Sequence, residues 1–226
     1  QPLASGQAVL TEDEKDLGVC VIDIGGGTTD IAVYTNGAIR HTAVIPVAGD
    51  LITSDIAHAL RTPYVHAEYI KVHHGLAILD AGMEDEMVEV PSVGDRPMRK
   101  VPRSVLAQVI GPRVEEILEL TLHELRRSGF PEEVLNSGVV LTGGASLLPG
   151  MLDLAEEIFN VPARIGVPQD GPGVSERVRN PRYATAIGLL QAARSEAEGK
   201  VVGGAVVVGG PHESIWAKLR EWFKNF

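Results

Sequence analysis

Apolar positions in the first fifth of the chain form short runs and do not repeat with a helical period. "VCVIDI" (Val19–Ile24) is almost entirely apolar, "TDIAVY" (Thr29–Tyr34) follows after three glycines, and "AIRHTAVIPV" follows Asn36-Gly37. Runs of this length bounded by glycine predict strands, and Asn-Gly is a strong signal for a tight hairpin turn. The pattern therefore predicts a three-stranded meander whose first corner is Gly25–Gly27.

Later segments show the 3.6-residue period of amphipathic helices. Helices are expected over about 49–60, from Thr62-Pro63 through 79, over 104–128, from near Pro149 and over 181–194. "GVVLTGGAS" and Val161–Ile165 predict two further strands, and residues 84–103 predict short strands and loops. Strands and helices thus both contribute to the predicted core.

Composition narrows the function classes. The chain has 226 residues, 44% of them apolar, and a net charge of −10 without a long Lys/Arg block, which argues against a nucleic-acid binder. Cys20, the single cysteine, lies in an apolar strand and predicts a buried, reduced thiol. No apolar run approaches the ~20 residues that span a bilayer. The opening residues lack an initiator Met and read as the middle of a helix, which suggests a fragment.

The Gly25–Gly27 corner is a candidate anion site, because consecutive backbone N–H groups at a turn can hold a phosphate. Asp23 and Asp30 flank the corner, and Thr28 and Thr29 add hydroxyls. Carboxylates beside a phosphate need a cation between them, and Mg²⁺ is suitable. A plain glycine-rich hairpin turn is the alternative. The pattern is neither a P-loop nor a Rossmann fingerprint, since no Gly-Lys-Ser/Thr follows and the next element is a strand.

A second apolar strand, Val139–Thr142, also ends in consecutive glycines, Gly143 and Gly144. Two such turns with a helical insertion between them suggest a nucleotide held between two strand ends.

Four segments in order resemble the actin, Hsp70 and sugar-kinase superfamily. "VIDIGGGTTDIAVY" is similar to its second phosphate motif, "VVLTGGASLLPG" to its adenosine motif, "AEYIKVHHG" to its nucleoside-contacting helix and "YATAIGLL" to its second connecting helix. Within the superfamily the chain most resembles the FtsA family of bacterial cell-division proteins, over nearly its whole length but only the second half of that family. The resemblance implies an α/β fold, the second lobe of an actin-like (ribonuclease H-like) ATPase.

The resemblance also implies a division into parts. A core subdomain would comprise residues 1–46 and 138–195, and a smaller subdomain would be inserted at 47–137. A flexible linker would cover 196–211, and an amphipathic helix at 212–226 would target the membrane.

Carried over by position, the resemblance implies ATP and Mg²⁺ as cofactors. Asp23 would hold Mg²⁺ through water and Asp30 would lie near the γ-phosphate, which makes both candidate catalytic residues. The nucleotide-binding residues would be Gly25, Gly26, Gly27, Thr28, Glu68, Lys71, Gly143, Gly144 and Ser146. An exposed helical pair is the alternative for Glu68 and Lys71. At most weak ATPase activity is expected.

The C-terminal segment "ESIWAKLREWFKNF" has its own signal. One helical face would carry Ile215, Trp216, Leu219, Trp222, Phe223 and Phe226, and the other faces Lys218, Arg220 and Lys224. A helix of this composition lies in the membrane interface and is attracted to anionic lipid. The alternative is a helix that docks on the protein's own core.

Positive charge also gathers at Arg96, Arg99, Lys100, Arg103 and Arg113. These residues predict a dock for an acidic peptide, and the resemblance implies that the peptide is the C-terminal tail of FtsZ. A solvated charged face is the alternative. His66, His73 and His74 have no carboxylate or cysteine at ligand spacing, so no metal site is predicted there.

The resemblance thus implies an ATP-binding scaffold on the cytoplasmic face of the bacterial inner membrane, at the division site. It would polymerise, anchor FtsZ filaments and recruit other division proteins. A sugar kinase or exopolyphosphatase-type enzyme and a pilus-assembly actin homologue are the alternatives.

Overall fold

The structure, a computed structural model, describes residues 1–79, 86–94, 97–169 and 176–197. Helices α1 (Pro2–Val9) and α2 (Glu12–Leu17) precede the predicted meander. The remaining elements in chain order are β1 (Val19–Ile24), β2 (Thr29–Thr35), β3 (Ala38–Ile45), α3 (Gly49–Leu60), α4 (Tyr64–His74), β4 (Met87–Val90), β5 (Arg99–Pro102), α5 (Arg103–Arg127), β6 (Val139–Thr142), α6 (Met151–Phe159), β7 (Ala163–Ile165) and α7 (Ala184–Ala197). The predicted α/β fold is confirmed.

The main sheet has five strands in the order β3-β2-β1-β6-β7. Strand β1 is antiparallel to β2 and parallel to β6, so that Asp23 is paired with Asp30 on one side and with Thr142 on the other. Because the end of β1 and the end of β6 point the same way, the two glycine turns leave the sheet side by side. The sheet topology therefore brings together segments that are far apart in sequence.

Helices cover both faces of the central strands, which is why β1 is apolar at nearly every position. Cys20, Ile22 and Ile24 join a core with α3, α4, α5 and α6, whereas Val19 and Val21 join a second core with α1 and α7. The Cys20 thiol is free and fully buried, as predicted, and burial raises its pKa. Apolar contacts thus hold the sheet from both sides.

Both boundaries of α4 differ from the prediction, and α7 begins at Ala184 and ends at Ala197 where 181–194 was expected. Helix α4 ends at His74 and does not reach 79, because the chain turns away at Gly75 and the Ala77 N–H donates to the Pro149 carbonyl, 2.8 Å away. The N-cap of α4 is Pro63 without a side-chain cap, and the buried Thr62 hydroxyl has no hydrogen-bond partner among the described residues. The glycine at the C-cap, after basic residues in the last turn, is a local stop signal, and the Ala77 hydrogen bond holds the chain that follows the helix.

The predicted division into parts stays a prediction. Apolar packing is continuous from β1 and β6 to α3 and α5, and α7 extends to Ala197, into the predicted linker. Residues 198–226, with the rest of that linker and the predicted amphipathic helix, lie outside the described residues. Within the described part of the chain, no helix has the length and apolar content needed to cross a bilayer.

Candidate functional site

The Gly25–Gly27 corner turns its carbonyls inward. The Gly25 carbonyl accepts a hydrogen bond from the Gly49 N–H (3.0 Å), and the Gly26 carbonyl accepts one from the Asp50 N–H (2.8 Å). Gly26 and Gly27 are exposed, and none of the described residues accepts a hydrogen bond from their N–H groups. The corner therefore caps the first turn of α3 with its carbonyls and leaves two backbone donors of exposed residues without an acceptor in the described part of the chain.

The two aspartates lie together beneath the corner. Asp23 is 8% exposed, and its Oδ2 accepts a hydrogen bond from the Thr185 hydroxyl at 2.7 Å. Asp30 accepts one from the Thr28 hydroxyl at 2.9 Å. Burial raises the pKa of Asp23, hydrogen bonds from Thr185 and Ser5 oppose this rise, and the neighbouring Asp30 charge adds to it. A cation placed here would stabilise the charged form of Asp23.

The turn after β6 packs against the end of β1. Gly143 has a φ of +84°, and a Cβ there would collide with the Ile24 carbonyl oxygen and lie 2.5 Å from Asp23 Oδ1. Only glycine fits this contact. Ser146 is buried and its hydroxyl donates to the Gly143 carbonyl at 2.7 Å, so this side chain stabilises the turn from within.

Helix α4 supplies Glu68 and Lys71 in one network with α3. Lys71 Nζ lies 3.0 Å from the Gly49 carbonyl oxygen, 2.8 Å from Thr53 Oγ1 and 2.7 Å from Glu68 Oε2. The Lys71 side chain is 12% exposed and that of Glu68 44%, so they do not form a fully solvated pair. Burial raises the pKa of Glu68, but hydrogen bonds from Lys71 and Thr53 outweigh it, and the pKa is lowered.

Gly49 lies where these segments meet. A Cβ at Gly49 would be 3.0 Å from the Gly25 carbonyl oxygen, 3.5 Å from Ala145 Cβ and 3.5 Å from Lys71 Nζ. A cleft beside it is lined by Lys71, Gly144, Ala145 and Arg182, among others. The structure thus brings both glycine turns and α4 around one point.

Sequence reasoning missed four residues of this site: Gly49, Thr53, Arg182 and Thr185. The sequence predicts only that Gly49 begins a helix, although a glycine placed between a strand and a helix can also indicate a close approach of two backbone segments. Thr53, Arg182 and Thr185 carry no motif of their own, because their roles depend on contacts with distant segments.

The predicted basic dock is already paired within the chain. Arg113 donates to both carboxylate oxygens of Asp55, at 2.6 and 3.1 Å, and Arg103 donates to Glu86 at 2.6 Å. Lys100 lies 3.8 Å from Glu89, and Arg99 donates to the Leu60 carbonyl. Arg96 lies outside the described residues. An acidic peptide at this surface would have to compete with these partners.

The histidines of α4 have ordinary helical contacts. His73 stacks on Tyr69 with ring centroids 4.0 Å apart, and its Nδ1 lies 2.9 Å from the Tyr69 carbonyl oxygen. Among the described residues, no group of three or more His, Cys, Asp or Glu is arranged to hold a metal. A magnesium ion at the Asp23–Asp30 site would therefore need most of its ligands from water or phosphate.

Comparison with known proteins decides the family. Residues 20–188 match the family model described as cell division protein FtsA. The chain belongs to the FtsA family.

The chain is 58% identical to cell division protein FtsA of Neisseria meningitidis, in an alignment that covers 100% of this chain and 55% of that relative. It is 50% identical to the family member from Pseudomonas aeruginosa, with the same coverage, and 47% identical to that of Escherichia coli K12, over 99% of this chain and 53% of that relative. The chain spans about half the length of these FtsA relatives.

Solved structures agree on the fold. MreB5 of Spiroplasma citri bound to ADP superposes with a TM-score of 0.71 at 19% identity, over 88% of this chain and 60% of that one. The PilM–PilN type IV pilus biogenesis complex gives 0.58 at 21% identity, over 84% and 48%. At these identities the likeness concerns the fold alone, which is actin-like. The FtsA family assignment rests on the sequence relatives.

Proposed function

We propose that this chain is the nucleotide-binding second lobe of an actin-like cell-division scaffold. The observation that carries the proposal is the convergence of Gly25, Ala145 and Lys71 on Gly49. Backbone donors at Gly26 and Gly27 that lack an acceptor in the described part of the chain suit phosphate oxygens, and the cleft between α4 and the Gly143-Gly144 turn suits a nucleoside. MreB5, which shares the fold, was solved with bound ADP. The nucleotide that this lobe would bind is ATP.

Mg²⁺ fits the carboxylates beneath the phosphate corner. Asp23, near the end of β1, and Asp30, near the start of β2, are buried and paired across the two strands, and burial disfavours a bare charge on Asp23. Mg²⁺ accepts one or two carboxylates together with water and phosphate oxygens. Asp23 would hold the ion through water, and the bound ion would neutralise phosphate charge next to these aspartates.

The test is ATP·Mg²⁺ binding by calorimetry on the full-length protein, with Asp23→Ala and Gly143→Val. Binding should be lost in both variants. Asp153→Ala is the control for charge, since Asp153 is exposed on α6. Gly129→Val is the control for backbone strain, because Gly129 has a φ of +80° and a Cβ there would meet nothing within 4 Å. Unchanged binding in Asp23→Ala and Gly143→Val would refute the nucleotide site.

The scaffold part of the proposal rests on family membership and on the C-terminal sequence. Segment 212–226 would bind the cytoplasmic face of the inner membrane at the division site, with the apolar side chains of Trp216, Trp222 and Phe226 among those inserted. One helix of this kind binds reversibly, so self-association into a polymer would provide several attachments. The scaffold would anchor FtsZ through its C-terminal tail and recruit other division proteins.

Co-sedimentation with vesicles tests the membrane step. Deleting 212–226 should abolish binding to vesicles that contain phosphatidylglycerol. Replacing Lys218, Arg220 and Lys224 by Gln should weaken binding to these vesicles by roughly 1 kcal/mol per residue and leave binding to neutral vesicles unchanged. Retained binding after the deletion would contradict this assignment of the segment.

Peptide binding tests the FtsZ step. Arg113→Ala should weaken binding of the FtsZ tail, and Asp55→Ala, which frees Arg113 from its ion pair, should strengthen it. If both variants bind the peptide as the wild type does, Arg113 is a structural residue only. The kinase, phosphatase and pilus-assembly alternatives are not favoured, because the chain matches FtsA relatives over its whole length.

A further inference from the structure

The Asp23 side chain belongs to the row of β1 side chains that faces α1 and α7. Side chains along a strand alternate between the two faces of the sheet. Val19 and Val21 pack with Ala184 and Ile187 of α7 in the second core, and Asp23 is the next position on that face. The carboxylate near the end of β1 is therefore approached by these two helices and not only by the glycine turns.

Thr185 of α7 donates a hydrogen bond to this carboxylate. Its Oγ1 lies 2.7 Å from Asp23 Oδ2, and the hydroxyl has no other partner among the described residues. Ser5, fully buried on α1, offers a second hydroxyl, and burial raises the pKa of Asp23 while hydrogen bonds from Thr185 and Ser5 oppose the rise. Ser5 has another acceptor, the Pro2 carbonyl at 3.3 Å, whereas Thr185 has only Asp23. Thr185 is thus the dedicated partner.

A close crossing of α1 and α7 fixes the position of Thr185. A Cβ at Gly188, one turn after Thr185, would collide with the carbonyl oxygen of Ala4, the residue before Ser5. Only glycine allows the two helices to approach this closely. Because α7 is held against α1 at this point, the Thr185 hydroxyl has a fixed place relative to β1.

A buried aspartate needs such a partner to keep one orientation. The last torsion of an aspartate side chain is broad, so the carboxylate plane is not set by the rotamer alone. A carboxylate has about four lone-pair sites, of which Thr185 uses one. Mg²⁺ keeps several of its waters when it binds to proteins, and these waters are donors that the remaining lone pairs can accept from.

We infer that Thr185 is a positioning residue, whose hydroxyl holds the Asp23 carboxylate in the orientation in which it accepts hydrogen bonds from the water around a bound Mg²⁺. The inference rests on the proposed nucleotide site. It adds a contribution from α7, a helix outside both glycine turns, to the binding of the ion. The close crossing at Gly188 gives this contribution its rigidity.

The test is calorimetry of ATP binding to the full-length protein, once with Mg²⁺ and once with EDTA. The wild type should bind ATP more tightly with Mg²⁺. Thr185→Val keeps the side-chain volume and should weaken binding roughly tenfold with Mg²⁺, the effect of a lost hydrogen bond to a charged group, and leave binding in EDTA unchanged. Thr185→Ser keeps the hydroxyl and should behave as the wild type in both conditions.

Thr121→Val is the matched control. Thr121 is fully buried on α5, and its hydroxyl donates to the Ile117 carbonyl of the same helix at 2.9 Å. The variant therefore loses a buried threonine hydroxyl far from Asp23 in the contact network and should bind ATP as the wild type does. Melting temperatures without nucleotide check that each variant is folded. If Thr185→Val is not folded, Thr185→Ala replaces it with the same expected result.

Failure of this inference and failure of the nucleotide site give different results. Equal weakening of Thr185→Val with Mg²⁺ and with EDTA, or wild-type binding in both, overturns the inference even when Asp23→Ala and Gly143→Val abolish ATP binding. A wild type that binds ATP equally with and without Mg²⁺ also overturns it. Wild-type ATP binding in Asp23→Ala and Gly143→Val refutes the nucleotide site itself.

Discussion

The two glycine turns, Gly25–Gly27 and Gly143-Gly144, both follow an apolar strand but have different structural roles. At Gly25–Gly27 the glycines lie outside the left-handed region, and nothing lies within 4 Å of a Cβ placed at Gly27. The N–H groups of the exposed Gly26 and Gly27 have no acceptor among the described residues. At Gly143 the φ is +84° and a Cβ would collide with the Ile24 carbonyl and with Asp23. The first turn leaves its backbone accessible, and the second lets two strand ends approach each other.

The difference shows that consecutive glycines after an apolar strand do not specify one role. At the first turn, the absence of side chains keeps the surface open to a ligand. At the second, it is required by the fold, because the left-handed conformation and the close contact both exclude a Cβ. Substitutions to alanine can separate these two roles, and their effects should differ widely.

The largest effect is expected for Gly143→Ala. The positive φ costs about 1–2 kcal/mol for an L-residue, and the contact with Ile24 and Asp23 adds to it, for a total of about 3 kcal/mol or more. Denaturant unfolding measures the change. Gly129→Ala is the matched control, since Gly129 has a φ of +80° and a Cβ there would have no close neighbour. Its loss of unfolding free energy should equal the cost of the positive φ alone. Equal losses in the two variants would show that the packing contact is unimportant.

Gly49→Ala should have an intermediate effect, since Gly49 joins the two regions. A Cβ at this position would lie 3.0 Å from the Gly25 carbonyl oxygen, so α3 or the corner has to move by a few tenths of an ångström. The expected loss of stability is about 1 kcal/mol. Because the shift displaces the phosphate corner, ATP affinity should fall in calorimetry. A variant with wild-type affinity would mean that the corner and α3 move independently.

Asp23→Asn should have a smaller effect on stability, and of the opposite sign. The folded-state pKa of Asp23 is raised, so the folded protein binds more protons than the unfolded chain between the ordinary and the raised value. The stability from this group is present at acid pH and is lost as pH rises through the raised pKa. Relative to the wild type, the variant should therefore become more stable as the pH rises from the ordinary pKa of an aspartate through the raised pKa of Asp23, while Mg²⁺-dependent ATP binding is lost.

Denaturant unfolding across that pH range measures the Asp23 effect. Asp153→Asn, on the exposed face of α6, is the control and should follow the wild-type curve. A stability difference between wild type and Asp23→Asn that does not change with pH would show that the buried carboxylate is not the cause.

Gly27→Ala should have the smallest effect. Nothing lies within 4 Å of a Cβ at this position, and its φ is outside the left-handed region, so the expected change in unfolding free energy is within about 0.5 kcal/mol. Since its backbone donor is kept, ATP binding should also change little. A loss of stability comparable to that of Gly143→Ala would remove the contrast between the two turns.

Local signals predicted the strands and most helices. The apolar runs and Asn36-Gly37 gave the meander, because strand period and hairpin turns depend on neighbouring residues. The end of α4 has a local signal in Gly75, which the prediction passed over, whereas the hydrogen bond between Ala77 and Pro149 that holds the following chain has none. Of the candidate site, the glycines and aspartates were visible as motifs. Thr53 and Thr185 were not, because each acts on a residue of another element.

The sequence by itself determined the family, the α/β class and the two glycine turns, because these depend on motifs and periodicity along a continuous segment. Only the tertiary structure decided that Gly49 lies between the turns and that Lys71 is occupied while Glu68 is accessible. It also decided that Arg99, Lys100, Arg103 and Arg113, the predicted basic residues that the structure describes, already have partners. The physical reason is that β1 pairs with β6 across more than a hundred residues. Contacts made by such pairing have no signal in either segment alone.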